Sequence, residues 1–326
     1  MRARTVHHVQ TLEARVRYRL DAPGDNQLRQ LRGLERAYSG RRGPDVLLFG
    51  DSASYWTMPS EPDSRAMLQM LAAELPSGTS LHTVVGPAYS ARIIAAFAAG
   101  FRRWRSRPRV VVIPATLLTM MDVHLEDPRY NYVAASGWIA DALAGRDDHA
   151  ARKRHSDRAA QDAFDRLPAP SLIGARRTFG ELRLIGSATP TTRWQQVVRL
   201  RHMMDLYNAE RLDPDSKGIA QLAALARLLS ELEIPSVAYI PPINYEVIVK
   251  ALGAGSRQHV ACNVEVVESA IREAGGSRAQ VVNAAFDHAA QGFLDPLHLK
   301  AAGRVQLARR IAAACAGCLD VRPVRA

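Results

Sequence analysis

The sequence predicts an α/β domain built on a five-stranded parallel sheet and interrupted by a helical insertion. Three observations carry this. Runs of strand length recur at 46–49, 80–86, 110–113, 236–240 and 279–283. Stretches with apolar residues at helical spacing separate the first three, and strand–helix–strand alternation with short joins belongs to parallel sheets with right-handed crossovers. From 122 to 232 the strand pattern lapses while helical segments continue, a length too great for a loop inside a compact domain.

Taken in order, residues 1–43 are polar and arginine-rich. Leu28, Leu31, Leu34 and Ala37 at helical spacing mark an N-terminal flanking helical segment. After the turn-like Arg42-Gly43-Pro44, Val46-Leu47-Leu48-Phe49 reads as a strand buried on both faces, ending in Gly50-Asp51-Ser52. Met67, Leu68, Leu71 and Leu75 place the first crossover helix at 63–75, and Pro76-Ser77-Gly78 ends it. The second strand, 80–86, is followed by an amphipathic helix at 89–104 with Ile93, Ile94, Phe97, Phe101 and Trp104 on one side. Pro108 breaks that helix before the third strand at 110–113. The insertion, at about 122–215, holds helical segments at 134–144, 156–165 and 192–208, and 216–232 rejoins the sheet as a crossover. Ser236–Ile240 is the fourth strand and Ala279–Asn283 the fifth, with helices at 243–252 and 259–274 between them. A closing helix at 300–316, with Val305, Leu307 and Ile311 as core contacts, completes a domain spanning 44–316. Residues 317–326 read as a C-terminal tail.

Composition narrows the function classes. No stretch of about 18 apolar residues occurs, so no membrane span is expected. The charged N-terminus has no apolar segment behind it, which argues against a secretory signal. Three cysteines, Cys262, Cys315 and Cys318, are an odd number in a long chain and suit a reducing cytoplasm better than a disulfide framework. Cys315-x-x-Cys318 has half-zinc spacing but no second pair, and Asp122, His124 and Glu126 read as a polar loop rather than a metal cluster. No metal or organic cofactor is expected. The net charge is +11, and lysine occurs only at 153, 217, 250 and 300, so 39 of the 43 cationic side chains are arginine. This reads first as a basic but ordinary surface, and more sharply as attraction to an acidic partner.

The chemistry starts at Ser52. A serine at the C-terminal edge of a parallel sheet stands where open α/β folds bind ligands, and is either a helix cap or a nucleophile. At 292–303 the chain reads Gly-Phe-Leu-Asp-Pro-Leu-His-Leu-Lys-Ala-Ala-Gly. A serine after an early strand, with an Asp-x-x-His pair before the last helix, supplies a nucleophile, a base and an orienter. Ser54 is a rival nucleophile two residues on, and Asp51 is the less reactive neighbour.

These two blocks resemble those of the SGNH, or GDSL-type, hydrolase superfamily. Gly50-Asp51-Ser52 is similar to its first block, and Asp295-Pro296-Leu297-His298-Leu299, with Gly303 following, to its last. The resemblance implies a flavodoxin-like three-layer sandwich, with Ser52 as nucleophile, His298 as base and Asp295 holding the imidazole. It also implies an oxyanion hole with the Ser52 and Gly86 N–H groups as donors. The family's Gly-x-Asn-Asp block is replaced by Pro114-Ala115-Thr116-Leu117, so Thr116 falls in the asparagine slot, and Asn244 after the fourth strand is an alternative donor. Tyr55 and Trp56 either line an acyl or aromatic pocket or pack the first turn of a helix. The activity implied is hydrolysis or acyl transfer on a small-molecule ester or thioester through an acyl-enzyme. One alternative is transfer from an acidic donor, an aminoacyl-tRNA or acyl carrier protein, to an amine or alcohol, steered by arginines at 102–109, 152–158 and 176–183. Another is a non-catalytic binding protein on the same fold.

Overall fold

The computed structural model describes residues 25–57, 61–125, 131–146, 210–294 and 298–320. Helix α1 (Asp25–Tyr38) leads into β1 (Val46–Gly50), the single turn α2 (Ser52–Tyr55) and α3 (Met67–Glu74). Strand β2 (Leu81–Val85) and α4 (Ala91–Ala98), extended by a 3-10 turn at Ala99–Arg102, precede β3 (Val110–Pro114). Beyond β3 come α5 (Asp122–Leu125), α6 (Val133–Leu143) and α7 (Lys217–Glu231). Then follow β4 (Ser236–Ile240), α8 (Tyr245–Leu252), α9 (Gly255–Gly275), β5 (Ala279–Asn283) and α10 (Ala301–Asp320). The sheet is five-stranded and parallel throughout, in the order β2-β1-β3-β4-β5.

The continuous apolar runs of the three central strands have a direct structural reason. Side chains alternate across a strand, so a strand covered on both faces needs apolar residues at every position. Leu47 and Phe49, Val111 and Ile113, and Ala238 and Ile240 enter one core with α1, α4, α6, α7 and α9. Val46 and Leu48, Val110 and Val112, and Val237 and Tyr239 enter the other, with α3 and α10. Each fully buried side chain of this size contributes about 1.5–3 kcal/mol. The edge strands β2 and β5 are only partly buried, which is why their sequences are mixed.

Two ends of the domain differ from the sequence expectation. The helix in the flanking segment is integrated: Leu28, Leu31, Leu34 and Tyr38 are buried in the same core as Phe49. Tyr38 meets Phe101 edge-on at 5.1 Å and stacks with Trp104 at 6.3 Å. At the other end α10 runs to Asp320, because Cys315, Cys318 and Leu319 continue its buried stripe into the residues expected to be tail. Burial pushes the Cys315 thiol up to about 12, so it is a packed side chain rather than a reactive one. Of the insertion, the helix expected at 134–144 is α6, and the segments at 156–165 and 192–208 lie outside the described residues. Among the described residues no helix is long and apolar enough to cross a membrane.

Candidate active site

Strand β1 ends at Gly50, opposite Val85 of β2, and the chain turns at once into α2. Gly50 is required by a close approach: a Cβ there would lie 2.5 Å from Ser54 Oγ. Asp51 caps the turn, its Oδ1 accepting the Ala53 N–H at 3.1 Å. Ser52 is thereby set just past the C-terminal edge of a central strand, half-exposed. As the first residue of the turn it has no intrahelical acceptor for its N–H. Among the described residues that N–H has no other partner either.

His298 comes to Ser52 from 246 residues away, with Nε2 3.4 Å from Ser52 Oγ. Its loop is pinned by a one-residue antiparallel bridge between Phe293 and Leu299 and by the Leu294 N–H, which donates to the His298 carbonyl at 2.7 Å. Asp295 lies outside the described residues. Trp56 packs its ring on the imidazole, with centroids 4.3 Å apart and planes at 36°. Tyr55 is within electrostatic reach of Tyr89. Of the two aromatics expected either to line a pocket or to pack the turn, Trp56 therefore lies against the His298 imidazole.

Under the serine lies a buried polar layer. Asp51 is 3% exposed, and its Oδ2 accepts the Thr116 hydroxyl at 2.6 Å. Burial pushes the Asp51 carboxyl up, while the Thr116 hydroxyl, the Ala53 amide and nearby His298 pull the other way. Ser54, the rival nucleophile, is fully buried, and its hydroxyl is bonded to the Tyr239 hydroxyl at 2.9 Å. That removes it from solvent and from the base.

Two expected oxyanion donors are committed elsewhere. The Gly86 N–H donates to the Gly50 carbonyl at 3.1 Å, because the β1–β2 ladder continues one residue past the strand end. Its glycine identity answers to packing, since a Cβ would lie 2.2 Å from the Tyr89 ring. The Thr116 hydroxyl is taken by Asp51. Asn244 stands at the N-cap before α8 and is 6% exposed; among the described residues its side chain makes no hydrogen bond. Of the four groups expected as donors, the Ser52 N–H and the Asn244 amide are left uncommitted among the described residues.

No family model matches this chain, and no curated protein matches it. The reading of the site therefore rests on its geometry and on the motifs of the sequence.

The arginine run at 102–109 lies at the opposite edge of the sheet. It precedes β3, so it sits at the N-terminal ends of strands whose C-terminal ends carry Ser52. Five-residue strands rising about 3.3 Å per residue separate the two edges by roughly 16 Å. Arg102 pairs with Glu231 at 3.2 Å, Arg107 donates to the Leu232 carbonyl at 2.7 Å, and Arg109 donates to the Leu319 carbonyl. Three of these arginines thus bond to neighbouring elements, Arg103 and Arg105 are exposed, and the run as a whole lies at the edge remote from Ser52. The arginines at 152–158 and 176–183 lie outside the described residues, as does Glu126. His124 is buried, and among the described residues no group of three or more His, Cys, Asp or Glu could hold a metal ion.

The sequence of α10 carries a further signal. Arg304 shares the i, i+3, i+4 stripe of Leu307, Ala308, Ile311, Cys315 and Cys318, a charged residue on a buried face. Such an arginine must have partners that satisfy it.

Proposed function

We propose that the chain is a serine-nucleophile hydrolase or acyltransferase acting on an ester or thioester. The observation that carries this reading is the 3.4 Å approach of His298 Nε2 to Ser52 Oγ at the C-terminal edge of the sheet. In the proposed reaction Ser52 Oγ attacks the substrate carbonyl carbon and His298 Nε2 takes the hydroxyl proton. The Ser52 N–H stabilises the charge that develops on the carbonyl oxygen, with the Asn244 amide as second donor. His298 then gives the proton to the leaving alcohol or thiol, and an acyl-Ser52 ester remains. Water or a bound amine or alcohol, deprotonated by His298, takes the acyl group, and His298 returns the proton to the released Ser52 Oγ. Asp295 is the proposed orienter of His298, as the Asp-x-x-His spacing implies.

The Trp56 ring on His298 supports the same reading, because a ring packed against one face of the imidazole limits how it can turn. The free thiols of Cys262, Cys315 and Cys318 are in keeping with the proposed cytoplasmic setting. Transfer from an acidic donor draws no support from the arginines at 102–109. A non-catalytic binding protein has no need of an imidazole set beside a half-exposed serine hydroxyl. The test is labelling with a serine-directed fluorophosphonate. The wild-type chain and Ser54→Ala should label, and Ser52→Ala should not. Undiminished labelling of Ser52→Ala would move the nucleophile elsewhere, and no labelling of the wild type would favour the binding protein.

A further inference from the structure

Next to the base, α10 buries a guanidinium with nearly all its donors used. Arg304 is 1% exposed. Its Nε donates to the Arg65 carbonyl at 3.1 Å and its Nη2 to the Asp63 carbonyl at 2.9 Å. Its Nη1 donates to Glu61 Oε2 at 2.8 Å and to the Leu299 carbonyl at 2.7 Å. Four of the five guanidinium N–H groups are thus satisfied by protein. The Glu61 side chain is 9% exposed, and its Oε1 accepts the Ala301 N–H at 2.9 Å. These bonds join two stretches remote in sequence. One, 61–65, leads on from the nucleophile turn, with Glu61 nine residues after Ser52. The other, 299–304, leads on from His298 into α10.

A buried ion pair is weak evidence of stabilisation, because desolvating both charges offsets most of their attraction. An apolar pair of similar shape would hold α10 against α3 as well. The ion pair adds direction. The backbone groups it grips, the Leu299 carbonyl and the Ala301 amide, lie one and three residues beyond His298. The Leu294 amide holds the His298 carbonyl from the other side.

We infer that the Glu61–Arg304 pair is a positioning strut for the base. It fixes the His298 loop against the segment that follows the nucleophile turn, and so sets the separation of His298 from Ser52. The inference rests on the serine-nucleophile reading above. Both side chains act through backbone, so they are positioning residues. Lysine cannot replace Arg304, because an ammonium lacks the planar fork that reaches these acceptors.

The test compares fluorophosphonate inactivation of the full-length wild type, Glu61→Gln and Arg304→Lys, with folding checked by circular dichroism and melting. Glu61→Gln keeps the shape of the side chain and an acceptor for Ala301. A displacement of the base by a fraction of an ångström should lower kinact about tenfold or more in Glu61→Gln, with Ki within about twofold. Arg304→Lys should fall at least as far. Wild-type kinact in folded Glu61→Gln, or a change confined to Ki, overturns the strut. So does a Glu61→Gln protein that is unfolded at the assay temperature, since the pair would then hold the domain rather than the base. A wild-type chain that takes no label at Ser52 overturns the serine-nucleophile reading, and the strut with it. Labelled wild type with unaltered variants overturns the strut alone.

Discussion

The two edges of the sheet are made by the same strands and treat polar side chains in opposite ways. At the N-terminal edge polar groups pair off locally. Asp45 Oδ2 accepts the Ser80 N–H at 3.0 Å and the Ser80 hydroxyl at 2.7 Å, and the Ser80 hydroxyl oxygen in turn accepts the Asp45 N–H at 2.9 Å. Arg107 and Arg109 close onto the Leu232 and Leu319 carbonyls. At the C-terminal edge capacity is left open. The Ser52 N–H and the Asn244 side chain are unpartnered among the described residues, and His298 stands at the long end of hydrogen-bond range from Ser52. Unmade bonds beside a mobile proton suit a ligand that completes them, whereas completed bonds suit stability. On the proposed reading one edge serves the fold, while the other keeps open bonds above the completed Asp51–Thr116 and Ser54–Tyr239 pairs.

That division can be broken most sharply at the dyad. Ser52→Ala and His298→Ala should each lower ester turnover by about three orders of magnitude or more, while melting reports stability within about 0.5 kcal/mol of wild type. Large destabilisation with modest loss of turnover would make the C-terminal edge structural too. The oxyanion donors sharpen the contrast next. Asn244→Ala should lower kcat about ten- to a thousandfold with little change in KM. Thr116→Val should instead register in stability, by about 1–3 kcal/mol, because it strips a buried Asp51 oxygen of its donor. If Thr116→Val lowers kcat with stability intact, the hydroxyl serves the reaction after all.

Effects at the N-terminal edge should be smaller and confined to stability. Burial raises the Asp45 carboxyl pKa, but the Ser80 amide and hydroxyl and Arg109 outweigh it, so its pKa in the folded chain is depressed. The resulting stability is fully present above the unfolded value of about 3.9 and is lost as pH falls through the folded value. Asp45→Ala should cost about 1–2 kcal/mol at pH 7 through its lost hydrogen bonds, and the gap to wild type should begin to narrow only as pH falls below about 4. Turnover per folded molecule should not change. The smallest effect is expected from reversing Arg103 and Arg105, exposed and roughly 16 Å from the serine edge. Small-ester kcat/KM should stay within about twofold at low and moderate salt.

What was legible in the sequence follows from what is local. The three central strands are buried on both faces, which forces apolar runs that read directly, and β4 and β5 were bounded to the residue. The meeting of Ser52 and His298 was legible because the roles proposed for them need specific residue types beside element ends. The oxyanion donors were not. A motif names a glycine or a threonine but not the acceptor its hydrogen will find. The Gly86 amide is drawn into the sheet ladder by one extra residue of pairing, and the Thr116 hydroxyl by a carboxylate that the fold buries beside it. The Glu61–Arg304 pair was hidden for a related reason. The arginine's place on a buried stripe is visible, but its partner lies 243 residues away.

The central claim is that Ser52 carries the acyl group. Brief incubation with p-nitrophenyl acetate, acid quenching and peptide mass mapping tests it most directly. The account predicts one acetyl group, on the peptide containing Ser52, in the wild-type chain and none on that peptide in Ser52→Ala. Acetylation at another residue, or turnover undiminished in Ser52→Ala, would contradict it.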